Sequence, residues 1–245
     1  MAELVQLKVD VIVLISLQTI RAAKQATKTI PIVMVTTVDP VATGIVDSLA
    51  RPGGNITGLA RLMTELSGKR LELLKEMLPG ISSVGVLNDV TAEQATAFRD
   101  YESAARALKI QLQSLEVRGA NPDLQGAFQA AAKGRASALI TARTALLIVY
   151  RKQIADLAIK NRLPSMYETS EEVEAGGLVS YAASNAESYR RAATYVDKIL
   201  KGAKPADLPV EQPTRFELVI NLKTAKQIGL AIPQSVLYRA DKVIK

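Results

Sequence analysis

Residues 30–60 read IPIVMVTTVDPVATGIVDSLARPGGNITGLA, and this stretch decides the fold that the sequence predicts. It opens with an apolar run of strand length, which is typical of a strand buried on both faces of a parallel sheet. Asp39 and Pro40 predict the N-cap and first residue of a short helix, which would end at the paired glycines before a second apolar run. A polar loop that leads from a buried strand into a helix is where α/β proteins bind ligands.

The composition narrows the class of protein. The chain has 245 residues with no Cys and no His, which excludes a thiol nucleophile, a disulfide and a Ser-His-Asp triad. The net charge is +7, but the Lys and Arg residues are scattered singly, which indicates a mildly basic surface and no nucleic-acid site. No stretch approaches the ~20 apolar residues that span a bilayer. We expect a globular protein without a metal or cofactor.

Strands and helices alternate along the rest of the chain, which predicts parallel α/β sheets with right-handed crossovers. Between the strands, the pattern predicts a continuous helix at 144–161, a helix capped by Asn121, and capping boxes at 91–94 and at Ser184 and Glu187. The predicted strands are Val9–Ser16, Ile30–Val35, Ile56–Leu59, Val84–Leu87, Ile110–Val117, Ala138–Thr141, Pro164–Tyr167, Leu178–Tyr181 and Phe216–Ile220.

An internal repeat indicates two lobes. The series strand, helix, strand, polar loop, short helix, Gly-Gly and strand occurs first in residues 9–59 and again in residues 138–181. In both copies an Ile-Pro or Leu-Pro pair opens the middle strand. The first lobe would have fewer strands than the roughly five of a complete α/β lobe. We therefore expect the sequence to lack βα units at its N-terminus.

Four segments together resemble a known family: residues 30–58, KRLELLKEMLPGISSVGVLND at 69–89, VEAGGLVSYAAS at 173–184 and KPADLPVEQPTRFELVINLKTAKQIGL at 204–230. With them the chain resembles, over essentially its whole length, the ABC-transporter substrate-binding proteins of the tryptophan/tyrosine-uptake type. The resemblance implies a type I periplasmic-binding-protein fold. In that fold two Rossmann-like lobes with parallel sheets are joined by a hinge and close on a small solute.

The resemblance also implies partners and a location. The ligand would be an amino acid, aromatic for some members, or a related metabolite, and the permease subunits of an ABC importer would receive it. The protein would be periplasmic, with a signal peptide lost by truncation, and would meet the membrane only through the permease or a lipid anchor. The predicted limits are 1–81 for a truncated first lobe, 82–183 for the second, and 184–245 for a return to the first. The lobe of residues 211–245 stays open.

Polar side chains at the predicted strand ends are the candidate ligand residues. Asp39 or Glu168 would pair with an ammonium group. The helix openings after Asn88 and Thr141, or Arg143 in bidentate fashion, would hold a carboxylate. Tyr167 and Tyr181 would stack on an aromatic or flat ligand. Structural alternatives stay open: N-capping for Asp39, loop hydrogen bonds for Thr36 and Thr37, turn formation for Asn55, a solvated acid at a helix start for Glu168, and core packing for Tyr181. The predicted set is Thr36, Thr37, Asp39, Asn55, Asn88, Thr91, Thr141, Arg143, Tyr167, Glu168 and Tyr181.

Two other functions stay open. A Rossmann-type enzyme could share this fold, although the sequence has neither a G-x-G-x-x-G motif nor a P-loop and lacks His and Cys. A ligand-sensing domain of a transcription regulator would carry a helix-turn-helix upstream of this sequence. We predict a binding protein and no catalysis.

Overall fold

A computed structural model describes the chain over residues 1–36, 38–61, 66–89 and 95–245. Its contacts group the chain into two compact units. The first comprises Met1–Met63 and Ala183–Arg215, and the second comprises Thr64–Ala182 and Phe216–Lys245. Residues 64–81, which the predicted limits assign to the first lobe, thus group with the second unit, and so does the tail from Phe216.

The elements follow one another as the alternating pattern predicts. The strands are β1 (Ile12–Leu14), β2 (Ile32–Thr36), β3 (Ile56–Ala60), β4 (Ser83–Asp89), β5 (Gln111–Val117), β6 (Ala138–Thr141), β7 (Ser165–Tyr167), β8 (Val179–Ala183), β9 (Phe216–Asn221) and β10 (Lys242–Ile244). The helices are α1 (Ala2–Gln6), α2 (Leu17–Ala26), α3 (Ser67–Met77), α4 (Ala95–Leu108), α5 (Leu124–Lys133), α6 (Ala145–Val149), α7 (Arg151–Lys160), α8 (Ser170–Glu174), α9 (Asn185–Leu200), α10 (Leu222–Ile228) and α11 (Gln234–Leu237). No helix within the described ranges is long and apolar enough to cross a membrane.

The first unit is built on a parallel sheet with the strand order β1-β2-β3. Alternate side chains of β2 point to opposite faces of this sheet. Ile32 and Met34 pack with α2, whereas Val33 and Val35 pack with Tyr195 and its neighbours on α9. Because both faces are covered, every residue of β2 is buried, as its continuous apolar run predicts.

The second unit contains a parallel sheet with the strand order β10-β9-β8-β7-β6-β4-β5. One face packs against α3, α4, α10 and α11, with Leu74 and Ile140 among its buried residues. The other face packs against α5, α6, α7 and α8, with Phe128 and Leu139 in its core. Two units that each rest on a parallel sheet confirm the predicted α/β class with two lobes.

The predicted helix after Asp39 does not form. Residues 40–50 contain no helix, although the Asp39 carboxylate accepts hydrogen bonds from the backbone N–H of Val41 at 2.8 Å and of Ala42 at 3.1 Å. The cap is therefore present without a helix behind it. Gly44 has a φ of 68°, a left-handed conformation that ends the turn, and the N–H groups of Ile45 and Val46 then both bond to the Pro40 carbonyl.

Other boundaries differ from the prediction for local reasons. The helix expected at 144–161 is two helices, α6 and α7, which meet at Tyr150. Helix α5 is capped by Asp123 and not by Asn121, because the Asp123 carboxylate accepts a 2.8 Å hydrogen bond from the N–H of Gly126. The Ser184 cap of α9 is confirmed by a 3.3 Å hydrogen bond from the N–H of Glu187. The predicted capping box at 91–94 lies outside the described residues.

Candidate functional site

Six of the predicted residues meet at one edge of the sheet in the second unit. The register aligns Leu87 with Thr141, Thr141 with Tyr167, and Tyr167 with Ser180, so the carboxyl ends of β4, β6, β7 and β8 form a continuous edge. Residues in one register row point to the same face, and their successors point to the opposite face. The residues gathered there are Asn88, Thr141, Arg143, Tyr167, Glu168 and Tyr181.

Tyr167 and Thr141 point into the core at this edge. Both are fully buried, and the Tyr167 ring lies over the backbone of Gly177. Burial raises the pKa of the Tyr167 hydroxyl, so the side chain stays neutral. The predicted stacking of Tyr167 on a ligand finds no exposed ring face in this structure. Asn88 is also buried, and its amide lies 3.5 Å from the Ser114 hydroxyl.

Glu168 points to the opposite face, where α3 and α4 lie. Its Oε1 accepts hydrogen bonds from Arg70 NH1 at 3.0 Å and from the Tyr101 hydroxyl at 2.9 Å. Its Oε2 accepts a 3.0 Å hydrogen bond from the backbone N–H of Arg143. Both carboxylate oxygens are thus engaged inside the protein. A ligand ammonium that paired with Glu168, as predicted, would compete with these three donors.

Arg70 is the cation that holds Glu168, and its side chain is completely buried. Its Nε donates a 3.0 Å hydrogen bond to the carbonyl of Tyr181, and NH1 lies 3.3 Å from the Tyr101 hydroxyl. Burial lowers the pKa of the Arg70 guanidinium, but Tyr101 and Glu168 raise it more strongly together, so the cation is retained. Burial and the charge of Glu168 raise the pKa of Tyr101, which keeps its hydroxyl protonated as a donor.

Arg143 lies two residues beyond β6, at the start of the turn into α6. Its N–H is held by Glu168, the N–H of Ala142 bonds to the Leu87 carbonyl at 2.9 Å, and Thr144 caps α6 through a 3.1 Å bond from the N–H of Leu147. The side chain of Arg143 is half-buried, and its Nε has no hydrogen-bond partner within the described residues. A guanidinium with an unused N–H donor can bind a carboxylate.

Tyr181 lies in β8 and is partly buried. Its ring is 6.0 Å from the ring of Phe216, at an interplanar angle of 38°. The pair extends the core face that contains α3 and α4, and the Tyr181 carbonyl is the acceptor for Arg70. Both readings of Tyr181 therefore stay open, because the ring packs on Phe216 and is still partly accessible.

A second carboxylate, Glu172 of α8, lies in the interior and is only 1% exposed. Its Oε2 accepts hydrogen bonds from the N–H and the hydroxyl of Thr169, both at 3.1 Å, which completes a capping box for α8. Burial, with repulsion from Glu168 added to it, raises the pKa of Glu172 to about 8. Glu172 is therefore largely protonated at neutral pH.

In the first unit, the predicted residues lie at both edges of the sheet. Thr36 ends β2 at the carboxyl edge and is buried, with its Oγ1 accepting a 3.3 Å bond from the N–H of Val38. Asp39 follows in the exposed turn. Asn55 lies at the opposite edge, before β3, where its amide donates to the Ile30 carbonyl at 2.7 Å. Thr37 and Thr91 lie outside the described residues.

Sequence reasoning missed several residues of these sites. Arg70 lies on the stripe of α3 that also carries Leu74 and Met77, and a cation at such a position needs a partner that the helix pattern alone does not identify. Arg61, which is 2% exposed, follows β3 in the first unit and donates through NH1 to Asn185. No signal in the sequence marks Arg61 or Phe216. Among the described residues, no cluster of three or more carboxylate side chains could hold a metal ion.

The profile of the ABC transporter substrate binding protein family matches residues 1–244. A curated relative, the tyrosine-binding protein of Clostridioides difficile (strain R20291), is 27% identical over 227 residues, which are 91% of this chain. The match spans 64% of the length of that relative.

Solved structures with the same fold include a conserved domain protein from Vibrio cholerae O1 biovar eltor. It has a TM-score of 0.88 and 31% identity, over 99% of this chain and 81% of that one. The ABC domain in complex with L-Trp from Streptococcus pneumonia has a TM-score of 0.82 and 26% identity, over 96% of this chain and 81% of that one.

Proposed function

Because this chain belongs to the family of ABC transporter substrate-binding proteins, we propose that it captures an aromatic amino acid for an ABC importer and catalyses no reaction. The parallel α/β fold of both units agrees with the type I periplasmic-binding-protein fold expected from the sequence. In this proposal the protein acts outside the cytoplasmic membrane. Permease subunits receive the ligand from it.

The observation that carries the proposal is the setting of Arg143. Its backbone is anchored on Glu168, while its Nε has no hydrogen-bond partner among the described residues. The charge of Arg143 acts on the pKa of Glu172, but no described carboxylate lies within ion-pair distance of the guanidinium, which is therefore available for the carboxylate of an amino acid. Arg143 also follows the carboxyl end of a parallel strand, the usual edge for ligands in α/β sheets.

The aromatic class of the ligand is supported by two relatives and one side chain. One relative is a tyrosine-binding protein, and another was solved with L-Trp. In this chain Tyr181 lies at the same sheet edge as Arg143, with its partly accessible ring supported by Phe216. A supported tyrosine ring suits a flat aromatic side chain.

Isothermal titration calorimetry with L-tyrosine and L-tryptophan tests the proposal. We expect saturable binding without turnover, and a loss of roughly 30-fold or more in affinity in Arg143→Gln, because the ligand carboxylate then lacks its cation. The matched control is Arg239→Gln, which removes an exposed arginine of the same unit that pairs with Glu76. We expect this control to bind like the wild type.

One result would overturn the proposal: a folded wild-type protein that gives no binding heat with any aromatic amino acid at millimolar concentration. Equal affinity of the wild type and Arg143→Gln would contradict the role of Arg143 and leave the ligand class in place.

A further inference from the structure

We propose that Glu168 is a positioning residue that fixes Arg143 for ligand binding, and that Arg70 and Tyr101 hold Glu168 in the required place. The inference rests on the proposed function for its ligand, and it assigns Glu168 a role other than direct contact with an ammonium group. The juxtaposition that carries it is a carboxylate with one oxygen on a buried cation and the other on the backbone of the ligand-binding residue.

The carboxylate of Glu168 is already paired with a cation. Arg70 is completely buried and lies 3.0 Å from Oε1, so the negative charge is already compensated within the protein. The side chain of Glu168 is 12% exposed, and Tyr101 donates to the same oxygen. Three of the roughly four acceptor sites of this carboxylate are already filled, so a ligand ammonium would meet a charge that is compensated and largely enclosed. The arrangement therefore disfavours direct recognition of an ammonium group.

The backbone around Arg143 is restrained at three consecutive residues. Three consecutive residues are held in the turn between β6 and α6: Ala142 by the Leu87 carbonyl, Arg143 by Glu168 Oε2, and Thr144 by its own cap on α6. Of these three restraints, only the bond from the Arg143 N–H to Glu168 depends on a side chain from another part of the chain. A guanidinium that starts from a fixed backbone loses less conformational freedom when it binds a carboxylate.

The three donors around position 168 require a carboxylate. Glu168 accepts from donors on both sides, with Arg70 and Tyr101 at Oε1 and the Arg143 N–H at Oε2. A glutamine has one acceptor oxygen and one donor amide, so it satisfies one side and opposes a donor with a donor on the other. Glu168→Gln thus keeps the size of the side chain and removes one anchor.

The first experiment measures amide hydrogen exchange in the ligand-free protein. We expect Glu168→Gln to speed exchange of the Arg143 amide about tenfold or more, while the Leu139 amide of β6, which bonds to the Pro164 carbonyl just before β7, keeps its protection. Tyr101→Phe removes one of the two donors at Oε1 and keeps the ion pair, so it gives a smaller change in the same direction. The matched control Glu76→Gln loses a carboxylate that Arg239 and Ser235 hold in the same unit, and leaves the Arg143 amide unchanged.

The second experiment is a double-mutant cycle on the affinity for L-tyrosine. We expect Glu168→Gln to weaken binding about tenfold in the wild-type background and less than twofold in the Arg143→Gln background, because it acts through Arg143. An ammonium contact would instead give the same loss in both backgrounds, and that result overturns the inference.

The two experiments separate the inference from the function on which it rests. If the wild type binds no aromatic amino acid, the proposed ligand is wrong, and the exchange of the Arg143 amide still decides whether Glu168 positions this residue. Unchanged exchange of that amide in Glu168→Gln, or equal acceleration at Leu139, contradicts the positioning role whether or not L-tyrosine binds. Where Glu168→Gln does not fold, Tyr101→Phe carries both measurements.

Discussion

Arg70 and Glu168 are 98 positions apart in the sequence, yet Arg70 NH1 lies 3.0 Å from Glu168 Oε1 in the interior of the second unit. The pair joins α3 to the end of β7, and Tyr101 joins it from α4. A buried cation, a carboxylate and a tyrosine hydroxyl thus connect two helices to the sheet edge that carries the candidate ligand residues. The buried ion pair and the residues proposed to bind the ligand therefore lie side by side.

Removing the buried cation should destabilise the protein strongly. Arg70→Met keeps much of the side-chain volume but leaves Glu168 without its compensating charge, so we expect the free energy of unfolding to fall by about 3–5 kcal/mol. Urea denaturation followed by circular dichroism measures the loss. The control Arg239→Met breaks an ion pair whose side chains are 45% and 37% exposed, and it should cost less than about 1 kcal/mol.

The double variant Arg70→Met with Glu168→Leu sharpens this prediction. Because both charges are removed together, it should be more stable than Arg70→Met alone. A double variant that loses the full sum of the two single losses would show that packing, and not the uncompensated charge, determines the effect.

The stability of the protein should fall as the pH rises from about 5 to 8, because of Glu172. Burial raises the pKa of Glu172 in the folded state to about 8, whereas the ordinary value for glutamate is about 4.3. Between these two pKa values the folded state holds a proton that the unfolded chain has lost. The stabilisation that Glu172 contributes is therefore complete below about pH 4 and is lost as the pH rises to about 8. The slope approaches 1.4 kcal/mol per pH unit.

The Glu172→Gln variant tests this pH dependence. The amide oxygen can still accept from Thr169, as glutamine does in a capping box, but the side chain no longer titrates. We expect the unfolding free energy of the variant to depend less steeply on pH. Above pH 7 its stability relative to the wild type should increase. Glu171→Gln, at an exposed neighbour in the same helix, should keep the wild-type slope. Parallel pH profiles for the wild type and Glu172→Gln would contradict the assignment.

A methyl group at Gly177 should disturb the buried Tyr167. A Cβ at this position would lie 2.3 Å from Tyr167 Cε2 and 2.9 Å from the carbonyl oxygen of Glu172. Neither neighbour is free to move, because the ring is fully buried and the oxygen belongs to the backbone. We expect Gly177→Ala to lower the free energy of unfolding by about 1–3 kcal/mol. Gly80→Ala, where a Cβ meets no atom within 4 Å, is the control, and equal stability of the two variants would refute the prediction.

Lys24 should stabilise the turn that follows Asp39. Its Nζ donates to the carbonyl of Gly44 at 2.6 Å and to that of Ile45 at 3.0 Å, and so ties α2 to this turn. We expect Lys24→Met to cost about 1 kcal/mol and to speed amide exchange at Ile45. Lys28→Met removes only the hydrogen bond from Lys28 Nζ to the Lys24 carbonyl of α2, so it should leave amide exchange at Ile45 unchanged. Unaltered exchange at Ile45 in Lys24→Met would show that the turn holds its shape alone.

The strands and most helices could be predicted from the sequence because their signals are local. The continuous apolar run of β2 reflects burial on both faces, and the Ser184 cap of α9 is a contact between residues three positions apart. The helix after Asp39 was predicted wrongly, since the cap signal was read correctly but Gly44 ends the turn in a left-handed conformation. Local signals thus predict where an element starts better than whether it continues.

The candidate site could be predicted only in part. The rule that ligand residues follow parallel strands correctly placed Thr141, Arg143, Glu168 and Tyr181 at one edge of one sheet. Asn55 was chosen from a nearby turn and lies at the other edge of its sheet, because it precedes its strand. The ligand roles of these residues stay predictions that the experiments above decide.

The sequence by itself determined the parallel α/β class, the two-lobed organisation and the family, since these depend on periodicity, on the internal repeat and on continuous segments. The tertiary structure alone decided that α3 groups with the second unit, that Tyr167 is buried, and that Glu168 is already engaged by Arg70. The physical reason is distance along the chain. A carboxylate at position 168 becomes a structural group only because folding brings a cation from position 70 to its side, and no local pattern encodes that meeting.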